Sequence, residues 1–300
     1  MFYRGVYIWP KIMFRRNFYI DARVRNIERI GPHSEKILSI LIGSLLGNGH
    51  AEKRGNKTRI HFSKSTSNME YLVWLHNSLV KEGYCKEVDY NEIKTRKIFR
   101  FSTYSFRSFN FLYEMFYDRS DVSQPISLKR LSYKYQNELE QLFTPLAFAV
   151  WFMDDGGYYR DTGILANADG GRRGIIIYPS KGFDYNSQID VIREIISRKY
   201  NIPNSFYTKF YGPKGRKMKE KECIFFYLED VPKLDEVIGS YVLPSLQYKF
   251  KLPEHRMKYY KRYRLDEDED FLADVIPGVS VPKVKVHDKY DDLNDLILGL

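Results

Sequence analysis

The chain has 300 residues, 43% hydrophobic and 16% aromatic, enough to fill one large core or two ordinary ones and too apolar for a disordered polymer. Apolar runs such as "ILSILIGSLLG" are too short to cross a bilayer, no secretory leader is legible at the N-terminus, and two cysteines without CxxC spacing exclude a disulfide or zinc framework. Residues 266–300 carry ten acidic and three basic groups, a net of −7 against +10 for the whole chain, so residues 1–265 carry +17. A basic body this rich in Tyr, Phe and Arg suits a polyanion that offers both phosphates and stackable bases.

In chain order, residues 1–33 form a basic, aromatic arm in which Arg4, Lys11, Arg15, Arg16, Arg23, Arg25 and Arg29 alternate with Tyr, Phe and Trp9. Gly31-Pro32 breaks the chain, and Ser34 is placed to cap an apolar helix running to Gly47. Strand-like "TRIHFSKS", the helix "NMEYLVWLHNSLVKEG", strand-like "KEVDYNEI" and "RKIFRFSTYS", and the helix "FRSFNFLYEMFYD" follow. The amphipathic "LKRLSYKYQNELEQLF" leads into Thr144-Pro145, a cap plus first-turn proline that opens a second apolar helix to Gly157. Strands "GILANAD" and "GIIIYPS", a helix "DYNSQIDVIREIISRKYN", strands "SFYTKFYG" and "ECIFFYLE" and a helix "VPKLDEVIGSYV" complete the pattern. The period of about 105 residues predicts a duplicated domain, with units at 34–143 and 144–265 and an acidic tail at 266–300.

The two apolar helices end alike, "LIGSLLGNGH" and "AVWFMDDGGYY", yet one ends on Asn48 and the other on Asp154-Asp155. Gly43 and Gly47 are four apart and share a helix face, so a partner helix can approach closely there. The spacing predicts that this face packs on the Ala147–Val150 stretch and brings Asn48 and Asp155 to adjacent points.

These two motifs, the duplication, the run "TPLAFAVWFMDDGGYY" and the stretch "YVLPSLQYKFKLP" resemble the LAGLIDADG homing endonucleases in their single-chain two-motif form, a family that includes group I intron maturases. The likeness covers roughly residues 34–255. It implies an α+β, pseudo-twofold duplicated LAGLIDADG fold of αββαββα-like repeats, with two β-saddles around a central pair of motif helices. In that family the last acidic residue of each motif binds divalent metal, usually magnesium. Carried over, Asp155 is the catalytic and metal-binding acid, and Lys249 is its supporting base. The first motif's acid falls on Asn48, and its lysine is expected where Asp121-Val122 stand. One half-site is therefore expected to be intact and the other to have lost both groups. Asp154, one position earlier, is expected to point elsewhere. The reading predicts no efficient double-strand cleavage and no requirement for magnesium.

Arg59, His61 and Ser63 alternate with apolar residues, and Arg100 and Ser102 share one strand face, as groove-facing residues should. Tyr207 and Lys209 share a face in the second half, where "GIIIYPS" puts isoleucines in place of the family's polar readers. Arg15 and Arg16 in the arm, and Arg256, Lys258, Lys261 and Arg262 in "HRMKYYKRYR", complete the expected nucleic-acid contacts. The expected ligand is structured RNA, a group I intron or ribosomal RNA, bound by a maturase or by a structural component of an organellar ribonucleoprotein whose tails meet ribosomal proteins. Double-stranded DNA, bound by an endonuclease or nickase, is the alternative. A monomer in the mitochondrial matrix, without membrane contact, fits the heavy use of Ile, Tyr, Lys, Phe and Asn typical of organelle-encoded chains.

Overall fold

The computed structural model describes residues 32–65, 69–87, 98–118, 129–160, 173–180, 188–211 and 219–250, all within one unit, Met1–Lys251. The expected arm, the patch at 255–264, the acidic tail and the expected strands "KEVDYNEI" and "GILANAD" lie wholly or almost wholly outside the described residues.

Helix α1 (Glu35–Leu46) starts where the sequence places it. The Ser34 hydroxyl accepts from the Ile37 amide at 3.3 Å, and Glu35 adds favourable charge to the first turn. Ile37, Ile40, Leu41, Ile42, Leu45 and Leu46 are all fully enclosed, and a helix apolar on every side belongs at the centre of a protein. Helix α5 (Pro145–Asp155) is its counterpart. Thr144 Oγ1 accepts from the Ala147 amide at 3.1 Å and donates to Ser39 Oγ at 2.6 Å, which ties the two helix starts together.

Each helix feeds an antiparallel sheet. In the first half β1 (His50–Arg54), β2 (Lys57–Ser65) and β3 (Ile98–Ser102) pair in that order. In the second, β4 (Gly156–Arg160), β5 (Arg173–Ile177), β6 (Ser205–Tyr211) and β7 (Lys219–Tyr227) pair in the order β4-β5-β7-β6. Helices α2 (Met69–Lys81) and α6 (Gln188–Tyr200) follow the second strand of each half, and the apolar rows Tyr71-Leu72-Leu75-Leu79 and Ile189-Ile192-Ile195-Ile196 bury their inner faces. Helices α3 (Asn110–Phe116), α4 (Gln136–Leu142) and α7 (Val231–Ile238) close the periphery.

Two departures from the sequence expectation shape the site. The second apolar helix stops at Asp155 instead of Gly157, because Gly156 already opens β4, where an added Cβ would overlap the Phe152 ring. Strand β1 was not expected at all. Its sequence, HAEKR, buries only Ala51 and carries no alternating apolar signal; pairing with β2 alone makes it a strand. No helix among the described residues is long and apolar enough to cross a membrane.

Candidate functional site

α1 and α5 pack side by side through the glycine face. A Cβ at Gly43 would overlap the Ala147 carbonyl oxygen and come within 2.7 Å of Val150 Cβ, so that contact is made as expected. Gly47 sits one turn further along and meets Asp155 Oδ2 and Asp154 Oδ2, at 2.8 and 2.9 Å from an added Cβ, not the Ala147–Val150 stretch. The helix ends thus converge, and Asn48 Nδ2 donates to Asp155 Oδ1 at 2.8 Å.

The carbonyls left over at a helix C-terminus need donors, and the helix dipole favours cations there. Lys249 Nζ donates to the Met153 and Phe152 carbonyls of α5 at 2.6 and 3.4 Å. At the end of α1 the same task falls to Lys129, whose Nζ donates to the Leu45 and Gly47 carbonyls at 2.6 and 2.7 Å. The amide of Ser180, from the second half, takes the Leu46 carbonyl at 2.9 Å. Lys129 corrects the expectation that the first half had lost its lysine. The group was sought at Asp121-Val122, but it arrives eight residues later, beyond a segment outside the described residues. Lys129 stands beside Arg130 between Leu128 and Leu131, so in the sequence it reads as one half of an ordinary basic pair. Burial pushes the Lys129 ammonium down to about 7, with Asp155 and Asp154 pulling it back up, and pushes Lys249 down to about 8 against the same carboxylates.

Asp154, expected to point elsewhere, does so with only one of its two oxygens, since its Oδ2 stands beside Asp155 Oδ2 at the space over Gly47. Asp154 Oδ1 accepts from the Tyr71 hydroxyl at 2.5 Å and ion-pairs with Lys64, so its side chain is tied to β2 and α2 of the first half. Neither Lys64 nor Tyr71 stood out in the sequence, since each sits in an ordinary strand or helix pattern.

The profile of the LAGLIDADG DNA endonuclease family matches residues 38–209, which run from within α1 to within β6 and include both helix ends. The chain belongs to the LAGLIDADG family. Among its relatives is a protein described as cytochrome b mRNA maturase bI2 of Saccharomyces cerevisiae, 33% identical over 230 residues, covering 73% of this chain and 48% of that protein. A protein of the same description from Debaryomyces hansenii is 29% identical, covering 73% of this chain and 74% of its own length. The intron-encoded endonuclease ai4 of Dictyostelium discoideum is 26% identical over 179 residues, covering 56% of this chain and 93% of its own. The chain thus spans about half the length of the yeast maturase it matches.

In LAGLIDADG terms, α1 and α5 are the central motif helices, and Asn48 and Asp155 meet where they end. The side chains present are a poor match for two hard cations, which need several anionic oxygens each. Asp155 Oδ1 already takes the Asn48 amide N–H, and Asp154 is already paired with an ammonium. Among the described residues no group of three or more His, Cys, Asp or Glu side chains is placed to hold a metal ion.

The two LAGLIDADG sheets expose different chemistry. On the first, the register sets His61 opposite Ser102 and Ser63 opposite Arg100, so Arg59, His61, Ser63, Arg100 and Ser102 share one accessible face. Glu52 lies among them. It accepts from Arg54 Nε at 2.6 Å and from Arg59 Nε and His61 Nε2 at 2.7 Å each, and these bonds, Arg54's first, hold its carboxyl down at about 2. Sequence reasoning missed Glu52 because it missed β1. On the second sheet the equivalent face is aromatic: Tyr159 and Tyr207 join hydroxyls at 3.1 Å over Ile176, Cys223 and Phe225. Lys209 lies on β6 with only its backbone described. Arg15, Arg16, Arg256, Lys258, Lys261 and Arg262 lie outside the described residues.

Proposed function

We propose that this LAGLIDADG protein is a catalytically degenerate member of its family that binds structured RNA, as an intron maturase or as a structural component of a mitochondrial ribonucleoprotein. The observation that carries the reading is the Asn48–Asp155 pair: an amide stands where the family sets a second acid, and it donates to the acid that remains. Asn offers one neutral oxygen and no charge, so cation affinity and activation of an attacking water both fall. A protein that helps an intron splice needs a grip on folded RNA and no hydrolytic centre of its own. The maturase names of the two yeast relatives support the RNA reading and, with the amino-acid usage, a mitochondrial location. So do the +17 carried by residues 1–265 and the rings interleaved with arginine in residues 1–33 and 255–264, since loops and bulges present unpaired bases that a duplex hides.

Binding of a folded group I intron RNA and of a duplex DNA of equal length tests the reading, each measured for the full chain, for a form lacking residues 1–30 and for Arg256→Ala/Lys258→Ala/Lys261→Ala/Arg262→Ala. Both changes should weaken RNA binding at least tenfold more than DNA binding. Equal losses, or tight sequence-specific DNA binding by the intact chain, overturn it.

A second reading, a magnesium-dependent DNA homing endonuclease or nickase, is favoured by one observation. Both motif helices keep a lysine at their C-terminal carbonyls, the buried Lys129 and the half-buried Lys249. Linear product from a plasmid carrying the intron-insertion site, at stoichiometric protein and with magnesium, establishes this reading. Nicking alone, abolished by Asp155→Asn, assigns the remaining activity to one strand.

A further inference from the structure

Lys64 stands on the inward side of β2, in the row that holds Ile60 and Phe62, where the strand pattern calls for an apolar side chain. Its side chain is 11% exposed and that of its partner Asp154 is 0% exposed. The ammonium lies against Asp154 Oδ1 and 5.6 Å from the centre of the Tyr71 ring, while the Tyr71 hydroxyl donates to the same oxygen. Asp154 Oδ2 has no hydrogen-bond partner among the described residues. It borders the space that Gly47 leaves open, and Asp155 Oδ2 borders that same space. Two carboxylates converging on one gap repel each other unless a cation offsets them, and a buried carboxylate such as that of Asp154 is costly without one.

We propose that the Lys64 ammonium is a built-in cation: it supplies at the motif-helix ends the positive charge that a divalent metal ion would supply, so this floor keeps its arrangement without metal. With Lys129 and Lys249 protonated, as below about pH 7, three ammonium groups stand against two carboxylates, a balance that repels a hard dication. Reversing that balance needs two changes: removing the ammonium and restoring an acid at position 48. The proposal rests on the degenerate-site reading for its premise, but its test uses protein and metal alone, so failure of RNA binding leaves it untouched and the reverse also holds.

The probe is Mn2+, titrated against the full chain by calorimetry and by thermal melting. The wild-type melt is expected to be the same in EDTA and in millimolar Mn2+, and Lys64→Arg, which keeps the charge, should behave likewise. Lys64→Met/Asn48→Asp is expected to bind Mn2+ at least tenfold more tightly than Asn48→Asp alone, with a melting temperature raised by about 5 °C or more at a hundredfold excess over Kd. Should the double variant fold only when Mn2+ is present, the metal has replaced the lysine and the proposal stands. A wild-type melt raised by Mn2+ overturns it, as does a double variant that binds no better than Asn48→Asp or stays unfolded with Mn2+.

Discussion

Gly43→Ala separates two opposing effects at the central helix pair. In an isolated helix the change should stabilise by about 1 kcal/mol, because alanine is the better helix former. Here the added Cβ would overlap the Ala147 carbonyl and stand 2.7 Å from Val150 Cβ, about 1 Å inside ordinary carbon contact. One obstacle is backbone and the other is the stiff root of a β-branched side chain, so relief requires moving α5 away from α1 along a buried face. Overpacking of this kind costs about 1–3 kcal/mol and more where backbone must shift. The expected net loss is about 2–3 kcal/mol, a fall in Tm of about 5–10 °C for a domain of this size. Gly157→Ala is the control, because a Cβ there meets nothing within 4 Å; its Tm should stay within about 2 °C of the parent. Calorimetric or fluorescence melts of the three proteins decide it. An equal or higher Tm for Gly43→Ala refutes the close approach, since helix propensity acting alone gives that sign.

Lys129 and Lys249 should make stability rise with pH: their folded values of about 7 and 8 lie below the ordinary lysine value, so between about pH 7 and 10 the unfolded chain holds protons that the folded chain has released, while below pH 7 the cost of the buried charges is present in full. Denaturant midpoints from pH 7 to 9.5 should climb by up to about 1.4 kcal/mol per pH unit per lysine, and Lys129→Met should flatten the rise; a slope that the variant leaves unchanged contradicts the assignment. Thr144→Ala removes both the cap on Ala147 and the buried bond to Ser39 and should cost about 1–2 kcal/mol in denaturant melts, with no loss counting against that role. Glu52→Gln releases Arg59 and His61 from a carboxylate held at about 2, so nucleic-acid affinity by fluorescence anisotropy should rise several-fold, with a salt dependence steeper by about one charge; weaker binding would mean that Glu52 positions these side chains for the ligand.

The central helices were legible because each carries its own signals: Ser34 and Thr144 as caps, unbroken apolar runs, and glycines spaced to share a face. Asn48 against Asp155 followed from the repeat, since two equivalent helix ends must meet if the helices pack. What escaped the sequence depends on long-range pairing. β1 is polar and short, and it is a strand only because β2 lies beside it; with it went Glu52, and hence the fact that Arg59 and His61 already have an acid between them. Lys129 lies 82 residues from the Gly47 carbonyl it serves, and Tyr71 lies 83 from Asp154. No local pattern marks such partners, because burial selects a side chain for what surrounds it in space. The expected pairing of Gly47 with the Ala147–Val150 stretch missed by one turn, the distance over which the two helix ends run on beside each other.

The unlike faces of the two sheets bear on how the molecule can sit on a partner. A protein with true twofold symmetry can be turned by half a rotation and present the same surface, so a ligand meets two equivalent poses. Here a half rotation exchanges the charged row of Arg59, His61 and Arg100 for the apolar ledge of Tyr159 and Tyr207. The two poses set these unlike faces against a ligand in opposite order, and the duplicated scaffold acquires a direction.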